Sequence, residues 1–322
     1  MGMGGMRRQG SDFEPEFFRI FRSIEDQQKR SAWLQAEGML AAAPMLRARG
    51  LPLAADDPGE VSLEAERAAA EQQMLEALVR SGVPFLLAGP SLAAWTLYPE
   101  PGRRPRESMD LMIHARAVND ARAILRDEDF VPDPRGATRT ESAQAWRRSK
   151  ASVQLSIRLR WDFCDHPILN RRFSIAGLQA KSVVIEKPVA GLRALGVEHA
   201  TLYSALRWVD AVHERFRLVD LFDQDLRWRM LGKEKLAELA LLARQRGVAG
   251  ILAEHLGMAR RVFGTPVSTE LLHSLKQSGN HERSGSLLGA GRGRMRYHLL
   301  GALYGRGLRV RGRHLFSLIS PG

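Results

Sequence analysis

Apolar residues along the chain change their period twice. Between 12 and 48 they recur at mixed three- and four-residue spacing, at Phe17, Ile20, Phe21, Ile24, Trp33 and Leu34, which predicts helix. A Gly/Pro/Asp break follows at 50–62, GLPLAADDPGEVS, with Asp57 and Ser62 at turn and cap positions. A second helix is predicted from Ser62 through about Arg80. The period then shortens. VPFLLAG (83–89), bounded by Gly82 and Gly89, reads as a short buried strand. PSLAAWTLY is a short helix with Pro90 in its first turn, and SMDLMIH (108–114) is a second strand. AVNDARAILRDEDF (117–130) is a helix.

ASVQLSIRLRWDF (151–163) carries the plainest strand signal. Val153, Leu155, Ile157, Leu159 and Trp161 alternate with Gln154, Ser156, Arg158, Arg160 and Asp162, so one face enters the core and the other meets a cleft or solvent. From Val197 the helical period returns and continues to the C-terminus, with Gly stops between successive segments. No fixed-period repeat is present. The chain thus divides into a tail and helical arm (1–61), a small α/β core of three or more strands (62–190) and a helical C-terminal part (191–322).

Composition changes this picture in a few respects. The chain has 322 residues, 44% hydrophobic and 26% charged, enough apolar content for a sizeable core. Its single cysteine, Cys164, precludes an intrachain disulfide and fits a reducing cytoplasm. The absence of a long apolar run, and of an apolar segment after the N-terminal arginines, predicts neither membrane insertion nor export. The formal net charge is +12. No acidic residue follows Glu282, while Arg283, Arg292, Arg294, Arg296, Arg306, Arg309, Arg311 and Arg313 do. Such a tail suits phosphates, RNA or acidic protein surfaces, and equally a solvated helix face. No nucleic-acid reader module accompanies it, so nucleic acid is the weakest of these partners.

The candidate chemistry sits around the first two strands. Gly89 permits a tight strand-to-helix turn, and the helix opening at Pro90–Ser91 offers free N–H groups to an anion, with the Ser91 hydroxyl beside them. On the second strand Asp110 stands on a polar face with Ser108 two positions earlier. WDFCDHP (161–167) groups Asp162, Cys164, Asp165 and His166, but the spacing matches no structural zinc motif. Asp210, His213 and Glu214 read as a solvated helix face, and the tryptophans fall on apolar faces as core residues.

The stretch VPFLLAGPSLAAWTLYPEPGRRPRESMDLMI, with Arg158-Leu-Arg-Trp161, LVDLFD (218–223) and the terminal HLFSLISPG, resembles a bacterial family of uncharacterised nucleotidyltransferase-like proteins within the polymerase-β-type superfamily. The resemblance spans roughly 65–322. It implies an α+β fold, with a small mixed nucleotidyltransferase-type sheet flanked by helices. It also implies an active site in which two carboxylates on one strand and a third on its neighbour hold Mg²⁺ against an NTP.

Mapped onto this chain, the three carboxylate positions are Ser108, Asp110 and Arg158. The lysine before the glycine is Ala88, and the histidine of the third strand is Arg160. Only Asp110 survives, and a guanidinium cannot ligate metal. Asp110 and Arg158, on facing strands, are expected to pair. Two functions follow from the resemblance. One is a catalytically degenerate accessory or binding protein, needing no cofactor, that takes a nucleotide or an acidic protein or peptide through Gly89, Ser91, Arg104, Ser108, Arg158 and Arg160. The other is an active transferase, using Mg²⁺ at Asp110 and an NTP, that moves a nucleotidyl group to a small molecule or peptide.

Overall fold

The computed structural model describes residues 16–24, 32–35, 37, 39, 42–48, 58–134, 142–150, 153–210 and 217–288. Its centre is a mixed seven-stranded sheet in the order β3-β4-β5-β2-β1-β7-β6. β1 (Phe85–Ala88) and β2 (Met109–Ile113) are antiparallel, and β2 runs parallel to β5 (Val153–Arg160). β4 (Ala143–Lys150) pairs with β5 along eight antiparallel positions, and β3 (Val131–Pro132) adds an edge. On the other side β7 (Leu192–Ala194) runs parallel to β1 and carries β6 (Val183–Ile185). The α+β class and the mixed sheet agree with the sequence reading.

The central strands are buried along their whole length, as FLLA and MDLMI require when both sheet faces are covered. Asp110 is the charged exception in β2. Around the sheet lie α3 (Pro58–Arg80), α4 (Gly89–Leu97), α5 (Val118–Asp127), the short α6 (Pro167–Asn170) and α7 (Ile175–Ala180), and α8 (Val197–Asp210). α1 (Glu16–Ser23) and α2 (Ala43–Arg47) precede them. The helical part continues with α9 (Leu218–Met230), α10 (Lys233–Gln245), α11 (Ala249–Phe263) and α12 (Thr269–Gly279). One apolar core surrounds the sheet and reaches α8 and α10–α12. A second joins Phe17, Phe21, Leu34 and Met39 of the arm to Val219, Phe222 and Phe263 of α9 and α11.

Several boundaries differ from the sequence reading. α3 opens at Pro58, so Ser62 lies inside the helix, because proline suits the first turn of a helix. β5 stops at Arg160, leaving Trp161 past the strand end and half-buried beneath the Arg122 guanidinium. The sheet continues to Ala194, past residue 190, where the sequence reading ends the α/β core. α11 ends on Gly264 in the left-handed conformation, and α12 is capped by the Ser268 hydroxyl accepting from the Leu271 N–H. The cluster at 210–216 and the arginines from 292 onward lie outside the described residues, Asp210 excepted, whose place at the end of α8 is described.

Candidate functional site

Asp110 is the focus. Register places it opposite Ala88 of β1 on one side and Arg158 of β5 on the other. The chain turns into α4 at Gly89, whose φ of 63° is in the left-handed region. A Cβ at Gly89 would stand 2.5 Å from Asp110 Oδ2. Glycine is therefore needed there twice, for the turn and for the close approach of the carboxylate.

α8 closes over this face of the sheet. Tyr203 and Arg207, one helical turn apart, both reach Asp110. The Tyr203 hydroxyl donates to Oδ2 at 2.8 Å and Arg207 Nη1 donates to the same oxygen at 2.8 Å. Arg158 Nε lies 3.7 Å from Oδ1. The expected Asp110–Arg158 pair is thus present as an ion pair, although the tighter partner is Arg207. Oδ1 has no hydrogen-bond partner among the described residues. Burial pushes the Asp110 carboxyl up, but the guanidiniums of Arg207, Arg158 and Arg160 and the Tyr203 hydroxyl outweigh it and hold it below the usual carboxylate range. Burial also raises the Tyr203 phenol, which stays a protonated donor.

The remaining candidates separate into two groups. Arg158 keeps 18% of its side chain exposed, and among the described residues it makes one ion pair, the 3.7 Å one, and no hydrogen bond. Ser108 stands half-buried just before β2. Arg160, by contrast, is buried, with Nη2 donating to Asp165 at 2.7 Å and its guanidinium 5.9 Å from the Tyr203 ring. The Asp162–His166 stretch is used locally: Asp165 holds Arg160 and His166 caps α6.

Arg104 and Ser91 correct the expectation most clearly. Arg104 is buried in the protein, where Nη2 meets Asp223 at 2.7 Å and Asp220 at 2.5 Å. Tyr98 donates to the same Asp223 at 2.8 Å. The Ser91 hydroxyl is buried and donates to Glu71 at 3.0 Å, where Arg106 also binds the carboxylate through Nε and Nη2 at 2.9 Å. The physical reason is the same in both cases. A buried guanidinium or hydroxyl must be satisfied, and α3 and α9 supply carboxylates to do it.

Sequence reasoning missed Tyr203 and Arg207. Their four-residue spacing in LYSALRW puts both on one face of a helix, which is the signal available. Among the described residues no group of three or more His, Cys, Asp or Glu side chains converges as a metal cluster. No described helix is long and apolar enough to cross a membrane.

A family model described as "Uncharacterised nucleotidyltransferase" matches residues 61–278. No match is found among curated proteins. Solved structures with similarity include the antibiotic-resistance factor ANT(2'')-Ia, at 14% identity, 59% of this chain, 98% of that chain and a TM-score of 0.39. JHP933 from Helicobacter pylori is 15% identical over 74% of this chain and 98% of its own, with a TM-score of 0.36. An antigenic nucleotidyltransferase-like protein from Paracoccidioides brasiliensis is 13% identical over 66% and 97%, with a TM-score of 0.38.

Proposed function

The chain belongs to the family of uncharacterised nucleotidyltransferases, and on that premise we propose that its cleft holds the phosphates of a nucleotide by arginine, without a divalent metal. In this reading it is a catalytically degenerate accessory or binding protein that keeps the family's fold. One observation carries the proposal. The carboxylate left at the family's metal position, Asp110, is occupied by Arg207 at 2.8 Å and faced by Arg158 at 3.7 Å.

The chemistry supports it. Mg²⁺ needs several hard oxygen ligands in near-octahedral array, and typically takes one or two carboxylates with phosphate and water. Here one carboxylate is surrounded by guanidiniums that repel a cation, and this donor set does not fit the ion. The same guanidiniums suit phosphate, which arginine binds in bidentate fashion at any working pH. Arg158 and Arg207 are both partly exposed at the cleft, and Arg158 has N–H donors to spare.

The alternative is an active transferase with Asp110 ligating metal through Oδ1, the oxygen that lacks a hydrogen-bond partner among the described residues. Calorimetric titration of ATP with Mg²⁺ and then with chelator separates the two. The proposal expects affinity that persists in chelator and is lost in Arg158→Ala. Binding that requires Mg²⁺, with turnover abolished in Asp110→Ala, would establish the transferase instead.

A further inference from the structure

The β4–β5 hairpin carries two pairs of neighbouring arginines, and each pair is divided in the same way. Arg148 is held, donating to Glu128 O at 3.0 Å with its guanidinium 4.7 Å from the Phe130 ring, and Arg160 is held by Asp165. Arg147 and Arg158 are not: neither makes a hydrogen bond among the described residues. Register puts Arg147 directly opposite Ser156, and Arg158 directly opposite Ala145. The two unheld arginines are therefore diagonal neighbours on one sheet face, with Cβ atoms roughly 7 Å apart.

That face is small and polar between them, with Ser156 and Ala145 filling the other corners of the diagonal. Asp133, just past β3, donates its N–H to Ala145 O beside this face. Arg147 is half-buried, so its charge is presented from a fixed strand position rather than a mobile loop. Two strand-borne cations with unspent donors among the described residues, set side by side on one half-buried sheet face, match a ligand with several adjacent negative groups.

We infer that Arg147 is a second anion-binding residue, and that the site takes a condensed phosphate chain, one end at Arg158 beside Asp110 and the other reaching Arg147. This rests on the arginine-phosphate reading proposed above and extends it. A ligand with a single phosphate engages only the Arg158 end, whereas a di- or triphosphate chain spans both.

The test is calorimetry in chelator with inorganic phosphate and tripolyphosphate as the two probes. The wild-type protein is expected to bind tripolyphosphate more tightly than phosphate by about tenfold or more, the worth of one charge-assisted contact. In Arg147→Ala that preference is expected to collapse towards one, and in Arg147→Lys to return in part, since lysine keeps the charge but loses the fork. In Arg158→Ala phosphate itself is expected to bind at least about tenfold more weakly. A preference unchanged in Arg147→Ala overturns the second site while leaving the first. Phosphate affinity unchanged in Arg158→Ala overturns the first reading instead. If neither probe binds the wild-type protein, both readings fall.

Discussion

Two neighbouring arginine-rich regions of the molecule, before β2 and around Asp110 within it, use the same side chain in different ways. In the segment Arg104-Pro-Arg106 each guanidinium is enclosed by carboxylates and carbonyls from other elements. Arg104 joins Asp220 and Asp223 of α9, and Arg106 joins Glu71 of α3 and the carbonyls of Pro101 and Arg104. Around Asp110 the arrangement differs: Arg158, Arg160 and Arg207 all act on one buried carboxylate, while Asp165 also holds Arg160 and Asp220 also feels Arg207. The first region has its charge neutralised inside the protein and fastens the β1–β2 connection to the helices. The second leaves Arg158, partly exposed, on a single long ion pair among the described residues. Arginine count alone does not tell a brace from a proposed anion site; the acceptors that Arg104 and Arg106 meet, and that Arg158 lacks among the described residues, separate them.

Substitutions should break this contrast in a definite order. The largest loss of stability is expected from Asp223→Ala. It removes the carboxylate that takes both Nε and Nη2 of the buried Arg104 and the Tyr98 hydroxyl, leaving Asp220 as the remaining carboxylate partner, and breaking a buried pair of this kind is expected to cost about 3 kcal/mol. Urea denaturation measures it, and a loss under about 1 kcal/mol would show that the brace is dispensable. Arg207→Ala should cost less, about 1.5–3 kcal/mol, because it removes one charge-assisted hydrogen bond while Tyr203 and Arg158 remain at Asp110.

Acid should act on the brace side before the cleft. His255 packs beside Arg227 of α9, and burial, with the Arg227 charge adding to it, pushes the imidazole down to about 3. The unfolded chain protonates this histidine near its ordinary 6.5, and the folded protein excludes the proton until far lower pH. Stability is therefore greatest above 6.5 and declines as pH falls from there towards 3, by up to about 1.4 kcal/mol per unit. Denaturation curves between pH 7 and 4.5 should show that slope, and His255→Phe should reduce it. His199, also lowered by burial, accounts for part of what remains. The Asp110 carboxyl enters only in stronger acid, since its folded value is depressed and its contribution is lost as pH falls through that value.

The smallest stability effect is expected from Arg158→Ala. Its ion pair is long and partly exposed, so removing it should change stability by less than about 1 kcal/mol while weakening phosphate binding at least about tenfold. A large destabilisation would place Arg158 with the brace rather than the cleft.

What the sequence disclosed follows from the range over which its signals act. Alternation along Val153–Leu159 and the apolar run at Phe85–Ala88 are local, and both strands formed where the pattern put them. The pairing of Asp110 with Arg158 could be read too, because it needs only two strands and their faces. β4 was not legible: AQAWRRSK has a weak alternation, and its eight-position pairing with β5 is what makes it a strand. Arg207 escaped notice because periodicity tells which helix face is apolar, not which sheet that helix covers ninety-odd residues earlier in the chain. Arg104 reads as a ligand contact in the sequence for the same reason. Its partners, Asp220 and Asp223, are more than a hundred residues away, and only the packing of α9 reveals that its charge is already used.

The central claim is that Asp110 is held by arginine instead of metal. Electron paramagnetic resonance of Mn²⁺, titrated into the wild-type protein and into Asp110→Ala, addresses it most directly. The account predicts that the protein alone retains no Mn²⁺ in either case, with the two spectra indistinguishable from free ion. Mn²⁺ bound by the wild-type protein and released by Asp110→Ala would contradict it.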